Sequence, residues 1–147
     1  MKETQRITNR CGFTMIELMA VLIILGLLFG VVAKNVVGKI DQAKVTSTKA
    51  NLKILSSAVV QFKLDQGRYP DESVGLQELV EQPSDVENWP AGGYLETTEV
   101  PLDAWKHEFI YERFPESGKD FVIKSLGADG EDGGEGYDAD LLSTDAN

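Results

Sequence analysis

Six carboxylates and five glycines fall within residues 125–140, in the run S-L-G-A-D-G-E-D-G-G-E-G-Y-D-A-D, and no basic residue lies among them. Clustered carboxylates repel one another, so folding such a loop requires a cation or full exposure to water. Glycines let the backbone turn sharply enough to aim carbonyl oxygens inward. Hard oxygen donors in a flexible loop suit Ca²⁺, which takes about six to eight of them. The spacing is not that of an EF-hand, because Asp129-x-Glu131-x-Gly133 lacks the D-x-D-x-D-G start and the closing glutamate. The same composition also describes a solvated acidic loop, and pattern alone leaves both readings open.

A second carboxylate stands where charge is costly. Glu17 lies at the start of R-C-G-F-T-M-I-E-L-M-A-V-L-I-I-L-G-L-L-F-G-V-V-A-K-N, and residues 18–33 contain nothing polar. A carboxylate in hydrocarbon costs on the order of a few kcal/mol and is tolerable only when paired. No Lys or Arg lies between Phe13 and Ala33. A partner must come from a freed α-amine, from another chain, or from lipid headgroups reached by snorkelling. The simpler alternative is an interfacial glutamate favoured by the N-terminal end of a helix dipole.

Enzymatic chemistry is poorly represented. His107 is the single histidine and Cys11 the single cysteine, and there is no G-x-S-x-G elbow or phosphate-cradling glycine loop. His107, between Lys106 and Glu108, reads as a surface or hairpin residue, and Trp89 and Trp105 read as packing residues. A net charge of −10 argues against nucleic acid as a partner. One cysteine cannot form an internal disulfide.

The elements that must hold these residues follow from periodicity. Of the 147 residues, 42% are apolar, enough for one small domain and an anchor. Residues 1–12 carry Lys2, Arg6 and Arg10 against Glu3; removing them takes three of 14 basic and one of 24 acidic residues and leaves a charge of −12. Residues 13–33 match the roughly 20 that a bilayer requires, and the basic leader places the N-terminus in the cytoplasm by the positive-inside rule. A secretory signal would show a small-residue cleavage site after its apolar core, and a lipoprotein signal would place Cys11 after it; neither is present. Beyond the apolar run, Leu52, Leu55, Val59 and Phe62 recur at spacings of three and four, one face of an amphipathic helix. A continuous helix over residues 13–66 would span roughly 80 Å. The motif G-R-Y-P at 67–70 is a turn, residues 74–80 read as a short helix, and residues 108–112 and 120–125 alternate as a β-hairpin around Pro115 and Gly118.

A short basic leader ending in Gly12, followed by F-T-M-I-E-L and an aliphatic run, resembles the class III signal of type IV pilins and pseudopilins. The resemblance implies that a prepilin peptidase cuts between Gly12 and Phe13 and methylates the new N-terminus at Phe13. It further implies that Glu17, then the fifth residue, pairs with the N-terminal amine of a neighbouring subunit during assembly. The motifs K-L-D-Q-G-R-Y-P at 63–70, G-L-Q-E-L-V at 75–80, G-Y-L at 93–95 and P-L-D-A-W-K at 101–106 are similar to signatures of the major pseudopilin of type II secretion. Ala104 and Lys106 stand where that family has proline and glycine, and Lys34 stands where related subunits often have proline.

What the resemblance implies is an α+β fold of the type IV pilin-like kind: a long N-terminal helix packed on a small C-terminal head with a short antiparallel sheet and a calcium loop. The expected division is a cleaved leader over 1–12, a membrane or filament-core helix over 13–36, an amphipathic helix over 37–66, and a periplasmic head over 67–147 with its acidic loop at 125–141. By the same resemblance Asp129 and Asp140 are side-chain ligands to structural Ca²⁺, and Leu126 and Glu131 supply backbone carbonyls. Asp138 joins them on local charge alone. The expected role is a non-enzymatic filament subunit at the bacterial inner membrane, with itself, minor pseudopilins, an inner-membrane assembly platform and the prepilin peptidase as partners. The alternatives are a type IV pilin or competence-type pseudopilin, and a membrane-anchored calcium-binding periplasmic module that never polymerises.

Overall fold

The computed structural model describes residues 13–145. The expected leader with Gly12 at its end lies outside the described residues, as do the side chains of residues 33–37 and the last two residues. The chain divides into two compact units, one through Lys39 and the other from Ile40 onward. A single α-helix, α1 (Met15–Gln66), contributes to both.

In the first unit, Met15–Val32 is long and apolar enough to cross a membrane, and none of it is buried within the chain. Its Leu, Ile, Val and Phe side chains point outward on every side, with Leu27 70% and Phe29 71% exposed. A helix that is apolar all round needs lipid or other protein against it.

In the second unit α1 is one-sided. Leu52, Leu55, Val59 and Phe62 are fully buried, and they form one cluster with Leu76, Leu79, Leu95, Phe109, Tyr111 and Ile123. Phe62 anchors an aromatic corner, its ring centroid 5.2 Å from Tyr94 and 6.5 Å from Trp89. Burying four such side chains contributes on the order of 1.5–3 kcal/mol each.

After α1 the Gly67 N–H donates to the Lys63 carbonyl at 2.9 Å, and Gly67 takes a positive φ of 72° that ends the helix. The short helix expected over 74–80 is a 3₁₀ turn, Gly75–Leu79, which buries Leu76 and Leu79 on the core. Arg68 straps this segment down. Its guanidinium donates to Glu78 at 2.7 Å and to both oxygens of Asp85 at 3.0 Å, and Glu78 also accepts from the Asp71 N–H.

The sheet has three antiparallel strands in the order β1-β2-β3: β1 (Ile110–Arg113), β2 (Phe121–Ser125) and β3 (Leu141–Leu142). The α+β fold with a long helix and a small antiparallel sheet is as the sequence implies. The hairpin sits around Pro115 and Gly118, but β1 begins two residues later than the alternation at 108–112 and ends one residue later, at Arg113, which pairs with Phe121. The third strand has no signature of its own. It pairs Leu141 with Ser125 and Leu142 with Lys124, so the acidic segment leaves the sheet at Ser125 and returns to the same point.

Candidate functional site

The helix start is built from four residues. Thr14, Met15, Ile16 and Glu17 form a capping box, in which the Thr14 hydroxyl accepts from the Glu17 N–H at 3.3 Å while the Glu17 carboxylate accepts from the Thr14 N–H and hydroxyl at 3.0 Å each. Within the isolated chain Glu17 therefore has a local partner, Thr14, although no basic residue is near it in sequence. The signal was present as T-x-x-E before an apolar run. Phe13, immediately before the cap, is 80% exposed.

The acidic loop is closed at its base by the β2–β3 pairing and internally by backbone bonds. Ala128 N–H donates to the Tyr137 carbonyl at 3.0 Å, Asp138 N–H to Glu135 at 3.2 Å, and Asp140 N–H to Gly133 at 3.0 Å. Two glycines are sterically required. A β-carbon on Gly127 would stand 2.6 Å from the Asp138 carbonyl oxygen, and one on Gly134 would stand 2.5 Å from it. Both also have positive φ, 66° and 80°. The backbone at Gly127, just after Leu126, is thereby held close against the carbonyls of Asp138 and Ala139.

The expected ligands take distinct places in this frame. Asp129 is exposed, and its Oδ1 accepts from the Glu131 N–H at 3.1 Å. Glu131 and Asp138 are exposed and Leu126 is half-buried. Asp140 lies deepest: its Oδ2 accepts from the Gly133 N–H at 3.1 Å, while its Oδ1 is shut off from solvent and receives no hydrogen bond among the described residues. The loop brings the segments bearing Leu126 and Asp140 side by side. Among the described residues no three His, Cys, Asp or Glu side chains converge as a metal-binding group.

Two further residues govern the loop. Lys124, on β2, pairs with Asp132 and lies 3.8 Å from Asp140 Oδ2; the ammonium, hydrogen-bonded to it, holds Asp132 below the usual carboxylate range. Asp103, 3% exposed, accepts from the Trp105 and His107 N–H groups at 2.9 and 2.8 Å and from the Ser125 hydroxyl at 2.7 Å. That network fixes the 103–107 turn to the end of β2. His107 then reaches the loop itself, its Nδ1 3.1 Å from the Gly127 carbonyl. His107, its side chain 35% exposed, thus braces the loop through this contact while still facing solvent. The run around Asp103 is similar to a family signature, but nothing local announced that Ser125 would meet it.

Residues 35–144 match the family described as type II secretion system (T2SS), protein G, and residues 7–33 match the prokaryotic N-terminal methylation motif. The type II secretion system core protein G of Pseudomonas aeruginosa is 40% identical, over 93% of this chain and 96% of that one. That of Vibrio cholerae is 34% identical over 93% of each. The crystal structure of the major pseudopilin from the type 2 secretion system of enterohaemorrhagic Escherichia coli superposes with a TM-score of 0.59 at 28% identity, covering 74% of this chain and 92% of that one. The chain thus belongs to the protein G family of type II secretion systems and is a structural subunit of the pseudopilus.

Proposed function

We propose that this chain is made as a precursor with a cytoplasmic leader, is cut between Gly12 and Phe13 and N-methylated by a prepilin peptidase, and polymerises from the inner membrane into a periplasmic filament that drives export of folded proteins. The observation that carries this reading is the bare apolar surface of Met15–Val32, unburied within the chain and capped by Glu17. Such a surface is covered by lipid before assembly and by neighbouring copies afterwards. On cleavage, the Phe13 α-amine becomes the positive charge that the apolar segment otherwise lacks, available to Glu17 of an adjacent copy. Minor pseudopilins and an inner-membrane assembly platform complete the set of partners. The subunit itself catalyses nothing in this reading, its role being mechanical.

The same reading gives the acidic loop a structural Ca²⁺. The donor set fits: all candidate donors are hard oxygens, and the Asp140 Oδ1, buried without a hydrogen bond, is the kind of orphaned acceptor that a cation satisfies. Asp129, Asp138 and Asp140 would offer side chains, and Leu126 and Glu131 would offer carbonyls, to hold the ion. Bound there, Ca²⁺ would neutralise the repulsion among the loop's carboxylates and stabilise the native head by mass action.

Intact-mass measurement of the protein from its native membrane, with and without the prepilin peptidase, tests the pathway. A chain beginning at Phe13 and one methyl group heavier is the expected result. Retention of residues 1–12 in both strains would refute it.

A further inference from the structure

The geometry points to the Lys124 ammonium as a built-in counter-cation for the acidic loop, one that engages Asp140 and sets the affinity for a divalent ion by competing with it. The inference rests on the calcium reading above. Lys124 is placed by strand pairing: its partner in register is Leu142, two residues beyond Asp140. Its side chain is 23% exposed and bridges Asp132 and Asp140. Among the described residues no other basic side chain forms an ion pair with the six carboxylates of residues 125–140. The loop therefore holds one internal positive charge, at the carboxylate whose other oxygen is buried and unbonded.

A divalent cation on Asp140 would bring two positive charges to within a few ångström of that ammonium. Both cannot sit there favourably, because like charges at such a distance repel strongly wherever water is partly excluded. The ammonium has somewhere to go. A surface recess of about 400 Å³ is lined by Lys124, Asp132 and Asp140 together with Glu112 and Glu116, which are alternative carboxylate partners on the hairpin. Binding of the ion is thus an exchange, in which Lys124 leaves Asp140 for the recess. The exchange lowers the apparent affinity.

Calorimetric titration of the full chain in detergent with CaCl₂, paired with thermal unfolding in its absence, tests the exchange. Lys124→Met keeps the aliphatic stem and loses the charge; Lys124→Arg keeps the charge; Lys119→Met, at an exposed turn position, controls for net charge. Lys124→Met is expected to bind Ca²⁺ roughly tenfold more tightly, the order of magnitude of one partly screened charge–charge contact, and to melt at a lower temperature without metal. Lys124→Arg and Lys119→Met should titrate like the wild type. Should Lys124→Met fail to fold without metal, added CaCl₂ should restore its fold, and failure of that rescue would count against the exchange. Equal or weaker affinity in Lys124→Met overturns the exchange while leaving the calcium reading intact. Absence of Ca²⁺ binding in every variant overturns both.

Discussion

Replacing Asp103 with alanine removes the acceptor of three hydrogen bonds at once: from Trp105 N–H at 2.9 Å, His107 N–H at 2.8 Å and Ser125 hydroxyl at 2.7 Å. Hydrogen bonds to a charged group contribute about 1.5–3 kcal/mol each, and the cost of burying the carboxylate, 3% exposed, offsets part of that sum. What decides the net value is the three donors left behind. Two are backbone N–H groups that make no other hydrogen bond among the described residues, so truncation carries part of their desolvation penalty as well. We expect a loss of about 3–5 kcal/mol, the range found when one partner of a buried charged network is deleted. For a domain of this size that corresponds to a fall of roughly 12 °C or more in Tm. Asp103→Asn keeps an acceptor for both N–H groups, and the Ser125 hydroxyl reverses to accept from its amide, so this variant should lose only about 1–2 kcal/mol. Thermal unfolding of the full chain in detergent, followed by near-ultraviolet circular dichroism, separates the two. A loss below about 1 kcal/mol in Asp103→Ala would refute the reasoning, since an ordinary surface substitution does as much.

Lys106 adopts a φ of +78°, in the region that costs an L-residue about 1–2 kcal/mol, and it makes no ion pair among the described residues. Lys106→Gly should therefore raise stability by about 0.5–1 kcal/mol once glycine's greater unfolded-state freedom is subtracted; a lower Tm in that variant would contradict the strain. Burial pushes the Tyr111 phenol up to about 12, from an ordinary tyrosine value near 10. Because the unfolded chain gives up this proton first, stability is full below the ordinary value and falls as pH rises through the window between the two. Melting temperatures measured from pH 8 to 11.5 should decline less steeply in Tyr111→Phe than in the wild type, and parallel slopes would remove Tyr111 as a cause.

Much of this protein was legible before any tertiary contact was known, because its main signals are local. The stripe at Leu52, Leu55, Val59 and Phe62 follows from a 3.6-residue period, whereas the uninterrupted apolar run is recognised by its length alone, and both are found in α1. The leader motif and the glycine-rich acidic run are likewise contiguous, so the resemblance to the family is carried by local sequence. Even the Thr14–Glu17 box is written in the sequence, as a T-x-x-E spacing before an apolar run. Tertiary structure decided the rest. β3 is two residues long and exists only because β2 offers it an edge. Asp103 and Ser125 stand 22 residues apart, and only the packing of the 103–107 turn against the end of β2 joins them. Lys124 lies just outside the acidic run, and its pairing with Asp132 and Asp140 follows from a register that no local preference encodes. Helical propensity and period act within a few residues, whereas the partner of a buried carboxylate or of a lone ammonium is set by whichever segments the core brings together.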